Sequence, residues 1–229
     1  MNSRRLLIVS NRLPVTARCA DGDLRLTPSS GGLANGLRPW HEDSGGIWLG
    51  WPGDVTRLPL QLLPDLERRL AHRAMVPVFL TADQIDRYYH GFSNRVLWPL
   101  FHYSIDRVPV EATGWDAYRE VNEVFADAVS RVHRAGDVIW VHDYQLMLLP
   151  AMLRERLPGA RIGFFLHAPF PAAEVFRILP WHRELLEGLL GADLLGFHTF
   201  SYQRHFVDSL QYLDGVETDI DRVGSREDS

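Results

Sequence analysis

This chain of 229 residues has no lysine: all 24 of its Lys/Arg positions are arginine. No P-loop lysine can hold a nucleotide phosphate here, and no Schiff-base mechanism can start from a side-chain amine. Cysteine is nearly absent too. Cys19 stands alone, which excludes an internal disulfide and a CxxC metal pair. Its polar, turn-like surroundings at 17–23 do not suit a nucleophile. Long apolar runs are also missing. None approaches the ~20 residues of a membrane span, and residues 6–9 are too short for a signal core. The expected location is therefore cytoplasmic, with no membrane partner. Positive charge is not in excess either. Against the 24 arginines stand 29 acidic residues, for a formal net charge of −5, which argues against a nucleic-acid partner. What is present, 46% hydrophobic and 23% charged residues, is the balance of a globular protein with a sizeable core.

Short apolar runs alternate with helix-like stretches. Residues 6–10 (LLIVS) read as a buried parallel strand, ended by Asn11-Arg12-Leu13-Pro14. A loop is expected through Pro28-Ser29-Ser30-Gly31-Gly32, then a helix over 33–40 with Ser30 placed to cap it. Residues 47–51 (IWLGW) form a second strand closed by Pro52-Gly53-Asp54. Helical spacing over 60–72 precedes a strand at 76–80. Thr81 and Gln84 then make a capping box for a helix to Tyr89. Residues 115–134 form a long amphipathic helix with Val121, Val124, Phe125, Ala128, Val129 and Val132 on one side. Strands at 137–141 (DVIWV) and 162–166 (IGFFL) flank a helix over 145–157. A helix at 181–190, a strand at 193–198 and a helix at 200–213 complete the pattern. The expected fold class is α/β, a doubly wound parallel sheet over residues 1–213. Residues 214–229 read as a polar tail.

In such a sheet, residues just past the carboxyl ends of strands line the ligand crevice. Arg12, Asp143 and His167 each stand at such an end. Gly31-Gly32 precede the first helix, where backbone N–H groups could meet an anion, and Arg12 could add bidentate bonds to phosphate. Equally, the glycines could make only a turn, and Arg12 could be a surface residue. Tyr88, Tyr89 and Trp98 belong to an aromatic segment suited either to sugar faces or to core packing. Asp143 with His167 could support acid–base hydrolysis, or could be a cap and a buried imidazole. No GxSxG elbow completes a nucleophilic triad. His142, His167 and His198 lack HxxxH or HxH spacing, so no metal is expected.

Ordered blocks of sequence narrow these choices. They are Val9-Ser10-Asn11-Arg12-Leu13-Pro14, Ser30-Gly31-Gly32-Leu33, Trp48-Leu49-Gly50-Trp51-Pro52-Gly53, Tyr88-Tyr89-His90-Gly91-Phe92-Ser93-Asn94, Leu97-Trp98-Pro99-Leu100-Phe101-His102-Tyr103 and Trp140-Val141-His142-Asp143-Tyr144-Gln145-Leu146. With 163–171 and 193–198, they make residues 5–213 resemble the trehalose-6-phosphate synthases, retaining glucosyltransferases of GT-B architecture. The resemblance implies a Rossmann-like, N-terminal half of that architecture. It implies glucose transfer from UDP-glucose to glucose 6-phosphate, giving trehalose 6-phosphate and UDP. In that family, attack comes on the front face without a protein nucleophile, the leaving diphosphate helps deprotonate the acceptor, and no metal or other cofactor is needed.

By the same resemblance, Arg12 grips the acceptor phosphate with help from Tyr89, and Trp98 meets the acceptor sugar. Gly32 approaches the donor diphosphate, Asp143 bonds sugar hydroxyls at the reacting centre, and His167 holds the donor glucose. The family's second domain, with its arginine and lysine on the donor diphosphate, has no counterpart in these 229 residues. UDP-glucose binding is therefore expected to need a second domain, and the chain alone is expected to be a poor catalyst. A companion chain or a homo-oligomer would fit this reading. The alternatives are a non-catalytic phosphosugar-binding or regulatory module, and a transferase for another acceptor such as a polyol phosphate.

Overall fold

The apolar runs assemble into one sheet, as seen in a computed structural model that describes residues 5–20, 23–29, 31–109 and 111–214. In chain order the elements are β1 (Leu6–Arg12), β2 (Val15–Ala20), β3 (Asp23–Pro28), α1 (Gly32–Ser44), β4 (Ile47–Trp51), α2 (Leu63–Ala71) and β5 (Met75–Pro77). A helical run follows, as α3 (Ala82–Gln84), a π-helical segment (Ile85–Leu97) and α4 (Trp98–Phe101). Then come α5 (Trp115–Val132), β6 (Val138–His142), α6 (Leu149–Arg156), β7 (Arg161–Phe165), α7 (Ala173–Phe176), α8 (His182–Leu190), β8 (Leu194–Gly196) and α9 (Phe200–Ser209).

Six parallel strands pair in the order β5-β4-β1-β6-β7-β8. Numbered along the chain within this sheet, that is 3-2-1-4-5-6, the doubly wound order whose reversal lies between β1 and β6. Both faces are covered. Leu7 and Val9 of β1 join the core under α5 and α6, while Ile8 joins the core on the opposite face with Trp48, Leu66 and Leu70. At the amino ends of these strands, Arg5 donates to Asp137 through Nε at 3.0 Å and Nη2 at 2.6 Å, pinning β1 beside β6. The Asp137 carboxyl is held below its ordinary pKa: burial alone would raise it, but the bonds from Arg5 and the Arg134 N–H outweigh burial.

Four expectations need correction. Strand β1 does not stop at Ser10 but runs to Arg12, because Arg12 pairs with Trp51 of β4. The expected loop before α1 contains the antiparallel hairpin β2–β3, whose Val15, Ala17 and Leu24 pack inward. Cys19 is thus in a strand opposite Leu24, with an exposed side chain, rather than in a turn. The helix capped by the Thr81–Gln84 box does not end at Tyr89. It continues to Phe101, with Tyr88, Phe92 and Val96 buried against the core. Finally, residues 145–157 are not one helix. A 3-10 turn at Tyr144–Leu146 is followed by α6, with Pro150 in its first turn. Proline lacks an N–H, which the first turn of a helix leaves unbonded in any case, so Pro150 suits the start of a new helix. The cap expected of Ser30 and the polar tail beyond 214 lie outside the described residues.

Candidate active site

The crevice opens at the carboxyl ends of β1 and β6, where the strand order reverses. Its first bank is built by a slip in pairing. Val9 pairs with Leu49 but Arg12 with Trp51, so β1 spends one more residue than β4 over the same distance. Gly50 makes room for it: a Cβ there would stand 2.8 Å from the Ser10 carbonyl oxygen and the Leu13 nitrogen. Trp48 Nε1 donates to Ser10 Oγ at 2.7 Å, and Ser10 Oγ donates to the Arg12 carbonyl at 2.7 Å, which holds the turn. Exposed Arg12 then lies over two rings, its guanidinium carbon 4.7 Å from the Trp51 centroid and 5.1 Å from that of Tyr89. Beneath it, the buried Trp51 Nε1 has no hydrogen-bond partner among the described residues. An unpaired buried donor is costly, and one beside an exposed guanidinium suits an anion.

A cleft of about 150 Å³ joins Arg12, Tyr89, Gly31, Gln145 and Asp143. Among the described residues Asp143 is its sole carboxylate, so the two-carboxylate arrangement of a glycosidase is not found among them. Asp143 has φ 77° and ψ 167°, backbone that essentially only glycine adopts freely. The neighbours over-determine it. Its N–H donates to the Phe165 carbonyl at 2.9 Å. Its Oδ1 accepts from the Tyr144 and His167 N–H groups at 3.0 and 3.2 Å. Behind it, Tyr118 Oη donates to the Tyr144 carbonyl at 2.7 Å and accepts from the Met147 N–H at 3.1 Å, clamping the following turn to α5. Burial pushes the Asp143 carboxyl up to about 6, against the backbone donors of Tyr144, His167 and Ala168.

The second bank is a row of histidines from β6, the end of β7 and the end of β8. His142 Nδ1 and His167 Nε2 are 3.0 Å apart, and His198 meets His167 edge-on with centroids 5.5 Å apart. Burial pulls His142 down to about 3, with the charge of His167 adding to it. His167 falls to about 4 for the same first cause, with His198 adding. Both imidazoles are neutral at pH 7, which removes them as general acids. Among the described residues no group of three His, Cys, Asp or Glu is arranged to hold a metal.

Of the residues singled out from sequence, Arg12, Tyr89 and Asp143 share one cleft, and His167 joins it through its N–H on Asp143. Gly32 begins α1 beside cleft-lining Gly31. A Cβ at either glycine would meet nothing within 4 Å, so packing inside the chain does not require glycine there. Trp98 stands apart. It stacks on His102 at 3.8 Å and lies 5.5 Å from the Tyr144 ring, outside the small cleft. Sequence reasoning passed over Trp51 as a site residue, although its strand ends level with Arg12. It also passed over Asn11, whose Oδ1 accepts from buried Tyr88 at 2.9 Å.

Residues 4–229 match the sequence profile described as glycosyltransferase family 20. The chain belongs to that family. The match continues through 214–229, beyond the blocks that carried the resemblance. Among the relatives is the α,α-trehalose-phosphate synthase [UDP-forming] of Emericella nidulans, 48% identical over 223 residues, covering 95% of this chain and 44% of the relative. A crystal structure of the corresponding enzyme from Burkholderia xenovorans, in complex with glucose-6-phosphate, superposes with a TM-score of 0.72 at 37% identity. It covers 90% of this chain and 43% of that one. The N-terminal domain of Candida albicans trehalose-6-phosphate phosphatase superposes with a TM-score of 0.78 at 33% identity, covering 95% and 45%. The chain therefore spans less than half the length of these relatives. Its fold is the Rossmann-like half of a GT-B architecture. No helix among the described residues is long and apolar enough to cross a membrane.

Proposed function

We propose that this chain supplies the acceptor half of a retaining glucosyltransferase that moves glucose from UDP-glucose to glucose 6-phosphate, forming trehalose 6-phosphate and UDP. The observation that carries the reading is the Arg12 guanidinium stacked over Trp51 and Tyr89, with the unpartnered Trp51 Nε1 beneath it. That set offers charge-assisted and neutral donors to a phosphate monoester. Trp98 and Tyr144 extend the wall away from Arg12 as an aromatic face for the sugar. Asp143, ionised above its pKa of about 6, accepts hydrogen bonds from sugar hydroxyls. His167 holds the donor glucose, and the open backbone at Gly31-Gly32 approaches its diphosphate. With one carboxylate and neutral histidines, the chain contributes orientation and electrostatics rather than a nucleophile.

The nucleotide would be held by a second domain, in the same protein, on a companion chain or on another copy. The lone cysteine fits a cytoplasmic protein, since no internal disulfide needs an oxidising compartment. UDP release from UDP-glucose plus glucose 6-phosphate, measured with the second domain supplied, tests the reading. Turnover should be abolished by Arg12→Ala, and turnover that survives this change would refute the assignment. A second reading, a phosphosugar-binding module without turnover, draws on the likeness to the phosphatase N-terminal domain. Calorimetric binding of glucose 6-phosphate, lost in Arg12→Ala, with no UDP release under any pairing would favour it.

A further inference from the structure

We infer that His142 is a positioning residue that fixes His167 as its Nδ1–H tautomer, so that His167 offers a hydrogen-bond donor, not an acceptor, to a sugar hydroxyl. Two neutral imidazoles carry one proton each, and one proton must occupy the 3.0 Å contact between His142 Nδ1 and His167 Nε2. His142 itself is fully buried, and its Nε2 has no partner among the described residues. A proton on that Nε2 would be an orphaned buried N–H, which is rarer in folded proteins than an under-satisfied acceptor. The proton of His142 therefore sits on Nδ1 and is donated to His167 Nε2. His167 Nε2 is then an acceptor, and the one proton of that ring is on Nδ1.

The surroundings hold both rings in place. Trp140 packs at a tilt against His142 with centroids 4.5 Å apart, and Phe165 against His167 at 4.7 Å. The His167 backbone N–H is tied to Asp143 Oδ1. Burial keeps both rings neutral near pH 7, so the arrangement persists there. An imidazole with a fixed N–H discriminates by polarity: it bonds a hydroxyl through its oxygen and leaves that hydroxyl's own proton for another acceptor. The sugar part of the inference rests on the proposed function; the tautomer does not.

Long-range ¹H–¹⁵N correlation spectra of the chain at pH 7, with no sugar present, read the tautomer directly. His167 should show a protonated Nδ1 and a bare Nε2. In His142→Asn, whose amide can place an N–H where Nδ1 stood, that pattern should persist. In His142→Phe the Nε2–H form should become the major one. A wild-type His167 protonated at Nε2 would overturn the inference, and so would a pattern unchanged in His142→Phe. If His142→Phe does not fold, the wild-type and His142→Asn spectra still decide it. Because no substrate enters, loss of the transferase reading would leave this result standing, and the reverse also holds.

Discussion

The two banks of the crevice differ in charge and in exposure. The β1 bank is cationic and open: Arg12 is exposed, rests on aromatic faces and makes no ion pair among the described residues. On the β6–β7 bank, burial strips charge from fully buried His142 and half-buried His167, whose rings share a hydrogen bond. A phosphate needs the first kind of surface and a neutral sugar the second. The parallel sheet delivers both within a few residues of one switch point, and Asp143 stands between them.

Acid should destabilise the protein through its histidines, and this is the largest effect expected. A histidine whose folded pKa is depressed contributes stability that is present above its unfolded pKa near 6.5 and lost as pH falls toward the folded value. For His142 and His167 that window runs from about 6.5 down to about 3 and 4. Each can remove up to about 1.4 kcal/mol per pH unit. Asp143 works the other way. Its folded pKa is raised to about 6, so its contribution is full below the ordinary carboxylate value and is lost as pH rises through 6. Urea titrations from pH 7 to 4 should therefore show falling stability. The fall should be steeper in Asp143→Asn and shallower in His142→Phe; equal slopes in all three would contradict this account.

Next in size, Gly50→Ala should break the arginine bank. Its Cβ would meet backbone atoms of Ser10, Arg12 and Leu13 at 2.8–2.9 Å, which cannot rotate away as a side chain could. A loss of about 3 kcal/mol is expected, at the upper end for overpacking, with weaker glucose 6-phosphate binding as Arg12 shifts. An unchanged denaturation midpoint would show that β1 is looser there than the geometry indicates.

Asp143, between the two banks, is next. Both Asp143→Ala and Asp143→Gly remove the acceptor for the Tyr144, His167 and Ala168 N–H groups, but only glycine relieves φ 77°, ψ 167°. The glycine variant should be the more stable of the two by about 1–2 kcal/mol. Smallest of all, Arg12→Ala should change stability by no more than about 1 kcal/mol, the worth of an exposed cation–π contact. Its phosphosugar binding should fall at least about tenfold. Equal losses of stability and binding would make Arg12 a structural residue.

The six-stranded sheet was legible because strands buried on both faces are written as continuous apolar runs, and 47–51 matched β4 to the residue. The hairpin β2–β3 was not, since its strands carry arginines and threonines on an exposed face. Asp21-Gly22, a strong hairpin dipeptide, was the signal available. The helix past Tyr89 escaped because a π-helical stretch does not keep the 3.6-residue period by which helices are read. Within the site, Arg12, Asp143 and His167 followed from their places at strand ends. Trp51 and His142 did not stand out, because their roles depend on what lies above or beside them in space, which no local spacing encodes.

The extra residue that β1 spends between Val9 and Arg12 also sets parity. Side chains along a strand alternate between faces, so deleting one residue at position 10 or 11 would turn position 12 to the opposite side of the sheet. An arginine would still follow the first strand in such a sequence, and an alignment by residue type would score it as kept. It would face away from Trp51 and Tyr89. In this fold the length of the strand, as much as the identity of the residue that ends it, decides whether the guanidinium meets the two rings.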